Sequence, residues 1–261
     1  MQGTLFVSQT GLTAQDAKMT VISNNLANVN TIAFKKDRVA FNDLFYQKQF
    51  QAGAQMDAQN QRPSGLQIGT GVQVVGTQKM FLQGSALTTG AETDASIVGK
   101  GFFQIEMPDG TTAYTRDGQF HVNSDGTLVN AAGLPLIPQI TIPENATGLS
   151  IGTDGTVSAV VAGSAEPEEL GNITLASFIN TGGLEPIGGN LFLETQGSGA
   201  PNEGVPGEDY FGTIKQGTLE GANVNVAQEM VDMIATQRAY EMNAKVMTAA
   251  DEMLQTLNRM L

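Results

Sequence analysis

Glycine is placed in this chain so as to settle the architecture before any motif is read. Of 31 glycines, only Gly3 and Gly11 lie in residues 1–52, none follows Gly221, and the other 29 lie between. An interior glycine weakens a helix by about 1 kcal/mol relative to alanine, whereas turns exploit its freedom at positive φ. The two ends are therefore expected to be helical, and the middle to be strands and turns.

The first end carries a seam. Leu5, Ser8, Leu12, Gln15, Met19, Ile22, Leu26 and Val29 alternate at spacings of three and four, and six of the eight are apolar. That is coiled-coil periodicity. The last end repeats it through Val226, Met230, Met233, Gln237, Tyr240, Ala244, Met247, Asp251, Leu254, Asn258 and Leu261. A second stripe runs beside it through Val231, Ala235, Ala239, Met242, Val246, Ala249, Met253, Leu257 and Met260. A helix apolar over most of its circumference must be covered over most of it. Leu12, Met19, Ile22 and Leu26 are expected to face Met233, Tyr240, Ala244, Met247 and Leu254. The second stripe has no helix left in the chain, so other copies are expected to cover it. Gln237 and Asp251 interrupt the first stripe, either because they are partly exposed or because they fix register.

The triplet Asn-Val-Asn occurs at 28–30 and again at 223–225. Asn28 or Asn30 is expected to end the first helix, since asparagine tolerates the left-handed conformation. Asn225 is expected to be the N-cap of the second, with Gln228 three residues on in a capping-box arrangement. Glu229 at the fourth helical position leaves no hydrophobic staple.

Between the ends, Pro108-Asp109-Gly110-Thr111, Asp117-Gly118, Asp125-Gly126-Thr127 and Asp154-Gly155-Thr156 punctuate short β-prone runs. The runs are 102–107, 113–116, 119–123, 127–130, 148–151 and 156–161. The fold class expected is α+β: terminal helices packed as a coiled-coil-like pair, with an inserted antiparallel β-rich domain and an extended connecting arm. The domains follow as 1–31 with 225–261, a connecting segment of 32–90 with 205–224, and a β-rich domain at 91–204. Residues 50–75, rich in Gln and Gly, have the character of the arm.

Charge and chemistry narrow the function. Residues 1–50 hold five basic and three acidic groups, residues 51–220 five and eighteen, and residues 221–261 three and five. An acidic middle argues against nucleic acid, whose phosphates need a basic surface. No apolar run approaches the roughly 20 residues of a membrane span, so no membrane insertion is expected. The opening residues lack the basic and apolar regions of a cleaved signal peptide. With no cysteine, thiolate metal sites and disulfides are excluded.

The single histidine, His121, has no partner for a metal, and Phe120 and Val122 on either side are expected to face inward. The loops around Gly126 and Gly155 place Ala132 and Val161 where a calcium loop needs an acid. No phosphate loop follows Gly65–Gly71, and no nucleophile elbow occurs. No enzyme, cofactor or metal is expected.

Two long segments carry a resemblance. "GLTAQDAKMTVISNNLANVNTIAFKK" resembles the N-terminal signature of the flagellar rod and hook family of axial proteins, and "NVNVAQEMVDMIATQRAYEMNAKVMTAADEMLQTL" resembles its C-terminal one. "GKGFFQIEMPDGTTAYTRDGQFHVNSDGTLVNAAGLPL" is similar to the β-domain opening of the longer members. "RPSGLQIGTGVQ" and "TQGSGAPNEGVPG" most resemble the distal rod branch. At the very start, Leu5-Phe6-Val7-Ser8-Gln9 stands where distal rod proteins often have a Trp-containing segment.

The resemblance implies a structural subunit in a hollow helical homopolymer, the drive shaft of the flagellum, with helices around the channel and the β domain outside. It implies export through the flagellar type III apparatus and residence in the periplasm-spanning basal body. Implied neighbours are proximal rod proteins, hook protein, and the P-ring and L-ring proteins. An inter-subunit arm around Phe45–Gln73 is implied too, with Phe45, Arg62, Pro63, Leu66 and Ile68 as its contact residues. Competing readings are a proximal rod or short hook-type subunit, a secreted β-rich binding module, and a peptidoglycan hydrolase, for which no convincing acid pair is present.

Overall fold

A computed structural model describes residues 2–51, 55–57, 60–61, 64–162, 167–208 and 210–260. The chain forms two units, residues 1–27, 37–79 and 225–261 in the first, 28–36 and 80–224 in the second.

The first unit holds the two long helices, α1 (Gln2–Ala27) and α2 (Val226–Met260). They pack antiparallel. Asn25 meets Glu229, and Gly11 lies against Asn243, so fourteen residues along one helix match fourteen back along the other. A Cβ on Gly11 would sit 3.0 Å from the Asn243 amide, so the helices approach closely where glycine permits it. On this register α2 outruns the start of α1 by about eight residues, roughly 12 Å of helix.

A long antiparallel ribbon completes the unit. β1 (Asp37–Asp43) pairs with a strand at its far end, and β2 (Tyr46–Phe50), β3 (Gln55–Asp57), β4 (Asn60–Gln61) and β5 (Leu66–Gly69) lead back to that strand, β6 (Val72–Lys79). β2 pairs with β5 and β3 with β4. Asp37 pairs with Lys79 at the root, where their side chains also form an ion pair of 3.0 Å. The Asn25 amide binds both backbone groups of Asp37, at 2.9 Å each.

The arm therefore begins at Asp37, earlier than the composition of 50–75 indicates. Sequence boundaries put 32–90 in one connecting segment. Here 37–79 goes with the helices because its ladder is rooted on α1, while 86–88 goes with the β-rich unit because it pairs with 218–220.

The second unit is built of antiparallel β structure, with one short 3-10 helix at Thr181–Gly183. Its largest sheet orders Leu136–Ile137, Phe103–Glu106, Thr112–Thr115, Leu191–Leu193 and Glu185–Gly188, and a three-stranded sheet joins 146–151, 156–161 and 168–172. Ile97, Phe103, Ile105, Phe120, Leu128, Leu136, Val157, Ile173, Leu175 and Ile214 form its buried core. A second cluster stacks Phe102, Tyr114, Phe178 and Phe192 edge to face, with ring centroids 4.7–6.4 Å apart.

The Asp-Gly turns at 126 and 155 are hairpins, with φ of 78° and 86° that favour glycine. Asp117-Gly118 is not one. Gly118 packs against the Ala95 carbonyl and accepts the Ala95 N–H, so glycine is there for close approach. Phe120 is buried, but Val122 is exposed beside His121, because their short strand ends in the 123–127 turn.

The first triplet behaves differently from its expectation. α1 ends at Ala27, and Asn28 then accepts the Thr31 N–H and hydroxyl in a turn. Neither Asn28 nor Asn30 is left-handed. That conformation belongs to Ala33 (φ 57°), held by its N–H bond to the Glu220 carbonyl at 2.7 Å. At α2, the Asn225 side chain accepts the Gln228 N–H at 3.3 Å. The Gln228 amide points onward to Asp232 at 3.2 Å, so the reciprocal half of a capping box is replaced by an i,i+4 bond.

Candidate assembly surface

Most of the large apolar residues on α2 are not covered by α1. The side chains most buried on α2 are Glu229, Thr236 and Ala250, with Asn243 half-buried between them, a row at seven-residue spacing. Sequence periodicity places this row one residue later, at Met230, Gln237, Ala244 and Asp251. Gln237 and Asp251 are exposed, so they do not interrupt a buried stripe. Of the residues expected at the seam, Met233, Ala244 and Leu254 are half-buried, while Tyr240 and Met247 remain 41% and 39% exposed. On α1, Ile22 is buried with Ser8, Ala14 and Asn25, and Leu12, Met19 and Leu26 are half-buried.

The most buried row on the α2 side of the seam is thus made of small and polar groups, and the helices come close at Gly11. Left open are Met230, Val231, Ile234, Met242 (62%), Val246, Met253 and Leu257. Single exposed apolar residues are normal, but stripes along a 35-residue helix make a candidate interaction surface.

The ribbon is similarly uncovered. Phe45 is 81% exposed, and Phe41, Tyr46, Phe50, Leu66, Ile68 and Val75 are exposed as well. Arg62 and Pro63 lie outside the described residues. A two-stranded ribbon is marginal on its own in water. Alternate exposed aromatic and aliphatic side chains on such a ribbon suit it to lying on another surface.

The β-rich unit carries a contrasting polar centre. Glu220 takes Lys35 Nζ on one oxygen at 2.5 Å and Arg116 on the other at 3.3 Å, and all three are buried. Lys35 also donates to the Leu82 carbonyl at 2.8 Å, Arg116 to the Gly99 carbonyl at 2.8 Å, and Gly84 N–H to Glu220 at 2.8 Å. Burial pulls both cations below their ordinary pKa values, and the Glu220 charge pulls them back. Nearby, Asn223 accepts the Lys36 N–H at 2.8 Å and donates to the carbonyls of Met80 and Leu82 at 2.6 and 3.1 Å. The first Asn of the second triplet is therefore a clamp between backbone segments, a role its sequence context does not announce.

One carboxylate is shared by two cations, and these groups bond to one another and to backbone groups around them, which makes them structural. Burial raises Asp117, against backbone bonding from Gln119. Asp109 and Asp154 are lowered by the threonines of their own turns. Among the described residues no group of three His, Asp or Glu side chains could hold a metal ion. Among the described residues no helix is long and apolar enough to cross a membrane.

Comparison with known proteins agrees with the sequence signatures along the chain. Residues 5–35 match the family model of the flagella basal body rod protein, and residues 215–260 match the flagellar basal body rod FlgEFG protein C-terminal. Residues 96–159 match the flagellar hook protein FlgE/F/G D1 domain. The flagellar basal-body rod protein FlgG of Buchnera aphidicola subsp. Acyrthosiphon pisum is 49% identical over 256 residues, covering 98% of both chains. Within one organism, Caulobacter vibrioides, FlgG is 44% identical over 98% of both chains, whereas FlgF is 31% identical over 97% of this chain and 95% of its own. Similarity of this depth over nearly the whole length, and stronger to FlgG than to its sister, makes the chain a member of the flagellar basal-body rod protein FlgG family.

Proposed function

We propose that the chain is the distal rod subunit of the flagellar basal body, polymerising into a hollow helical shaft that transmits torque from motor to hook. The observation that carries this reading is the open apolar surface of α2. Its own partner helix covers a row of small and polar side chains, and the methionines, valines and isoleucine outside that row require other copies. A hydrophobic side chain fully buried on association contributes about 1.5–3 kcal/mol. Seven such residues repeated in every subunit supply a large driving force for a polymer.

On this reading Leu12, Met19, Ile22, Leu26, Met233, Tyr240, Ala244, Met247 and Leu254 belong to the packed helical wall. The ribbon, with Phe45, Leu66 and Ile68, is the arm that engages neighbouring subunits and stiffens the shaft. Its neighbours in the basal body are proximal rod and hook proteins, and the shaft turns inside the P and L rings after export through the flagellar type III apparatus. The protein acts as structural material and performs no catalysis.

Electron microscopy of the purified basal body tests this. Straight tubular density between proximal rod and hook, fitted by this chain, is expected. Density there that excludes the long ribbon of 37–79, or its location in the proximal rod alone, would overturn the assignment.

A further inference from the structure

We infer that the buried pair Asn25–Glu229 is the register key of the terminal helices, selecting one alignment from a set spaced seven residues apart. The inference goes beyond the proposed function and does not depend on what the helices assemble into.

The seam repeats itself. On α2, Glu229, Thr236, Asn243 and Ala250 occupy the covered row at intervals of seven, and on α1 the buried Asn25 is preceded at the same interval by the half-buried Lys18 and Gly11. Sliding α2 by one heptad would set Gly11 opposite Thr236 or Ala250 in place of Asn243. Both are smaller than asparagine, so the close approach at Gly11 tolerates the slip. Shape alone therefore discriminates poorly between alignments. In a two-helix seam, a single buried polar position is a known means of specifying register, because any other alignment leaves a polar group without its partner.

Asn25 and Glu229 have that character. Both are buried, with 2% and 5% of their surface exposed. The Asn25 Nδ2 donates to Glu229 Oε2 at 3.3 Å. The rest of the Asn25 amide is held by Asp37, whose N–H it accepts and whose carbonyl it binds, both at 2.9 Å. Asn25 thus cannot follow a sliding α2, because the root of the ribbon fixes it. In either slip of seven the buried Asn25 amide loses this carboxylate, while Glu229 itself comes level with Lys18 when Gly11 faces Thr236 and passes the end of α1 when Gly11 faces Ala250. Gln237 and Asp251, the polar residues that interrupt the apolar stripe, are exposed and cannot serve this purpose. Asn25 is a positioning residue: it acts on assembly through the alignment of α2.

The absence of cysteine makes the test direct. In the full-length chain, three cysteine pairs are introduced separately: Gly11→Cys with Asn243→Cys for the observed register, and Gly11→Cys with Thr236→Cys or Ala250→Cys for the slipped ones. Each is oxidised mildly in three backgrounds: the parent chain, Asn25→Ala and Glu229→Ala. The parent should favour the 11–243 disulfide by roughly tenfold or more, the discrimination that one buried charge-assisted hydrogen bond supplies. In both alanine backgrounds the slipped disulfides should rise to yields comparable with the native one. Glu229→Gln keeps an acceptor for Asn25 and should restore the parent pattern. A mere loss of stability lowers all three disulfides together and creates no new one. Retention of 11–243 alone in both alanine backgrounds, or loss of every disulfide in them, would overturn the inference.

Discussion

The β-rich unit and the helical unit of one chain treat their apolar side chains in opposite ways. In the first, Phe103, Ile105, Phe120, Leu136, Ile173 and Leu175 are wholly buried among residues of the same chain. In the second, the large side chains Met242, Met253, Ile234 and Phe45 lie open, and the covered row of α2 is Glu229, Thr236, Asn243 and Ala250. One unit closes its core within the chain. The other places small and polar groups in the covered row of α2 and leaves large apolar side chains open. The contrast teaches that a helix can cover small and polar groups against its partner in the chain while its large apolar groups stay open on another face.

The comparison breaks most sharply through Met242→Asp. A charge placed on an open stripe should abolish assembly and motility, yet shift the stability of the unassembled chain by no more than about 0.5 kcal/mol. Normal filaments from this variant would mean that the stripe is not an interface.

Phe103→Ala should do the reverse, removing about 3–5 kcal/mol from the folding of the β-rich unit whether or not the chain assembles. Glu220→Ala belongs with it. Removing the carboxylate shared by Lys35 and Arg116 leaves two cations buried without it, a loss of about 3–5 kcal/mol. Chemical denaturation of the unassembled chain reads both. A loss below about 1 kcal/mol for either would show that this core is more plastic than its packing indicates.

Smaller is Asn225→Ala, which removes the cap of α2 at a cost of about 1 kcal/mol and should fray the first turn of the helix in hydrogen exchange. Protection unchanged at 226–229 would assign the capping elsewhere.

A pH effect is confined to the β-rich unit. Burial, with the charges of Glu194 and Glu203, pushes the Tyr114 hydroxyl up to about 12. Its folded pKa lies above the ordinary value of 10.0. The stabilising contribution is therefore whole below pH 10, and it is lost as pH rises toward about 12. Tyr114→Phe should flatten the alkaline decline in stability over that window. Parallel declines would remove Tyr114 from the explanation.

Much of this was legible in the sequence, because glycine placement and heptad spacing are local signals. They yield both long helices, the antiparallel β-rich middle and the hairpins at Gly126 and Gly155. The seam row was legible only to within one residue. Pattern reading follows apolarity, and on α2 the apolar side chains at Met230 and Ile234 point away from the partner helix. Asn25 carried one signal, an Asn-Asn pair inside a helix where asparagine is a weak former.

The ribbon root at Asp37–Asp43 is hard to read from the sequence because its inside-outside alternation lasts only four residues and none of them is fully buried. Lys35, Arg116 and Glu220 are separated by tens of residues, and nothing local to any of them announces that they meet.

The most direct measurement exploits the cysteine-free background. Met242→Cys and Met253→Cys, each the sole thiol of the chain, are labelled with a maleimide in the unassembled chain and in assembled rods. The account predicts rapid labelling of the free chain and strong protection of both positions in the rod. Equal labelling in the two states would contradict it, because the open stripe of α2 would then face solvent in the polymer as it does in the single chain.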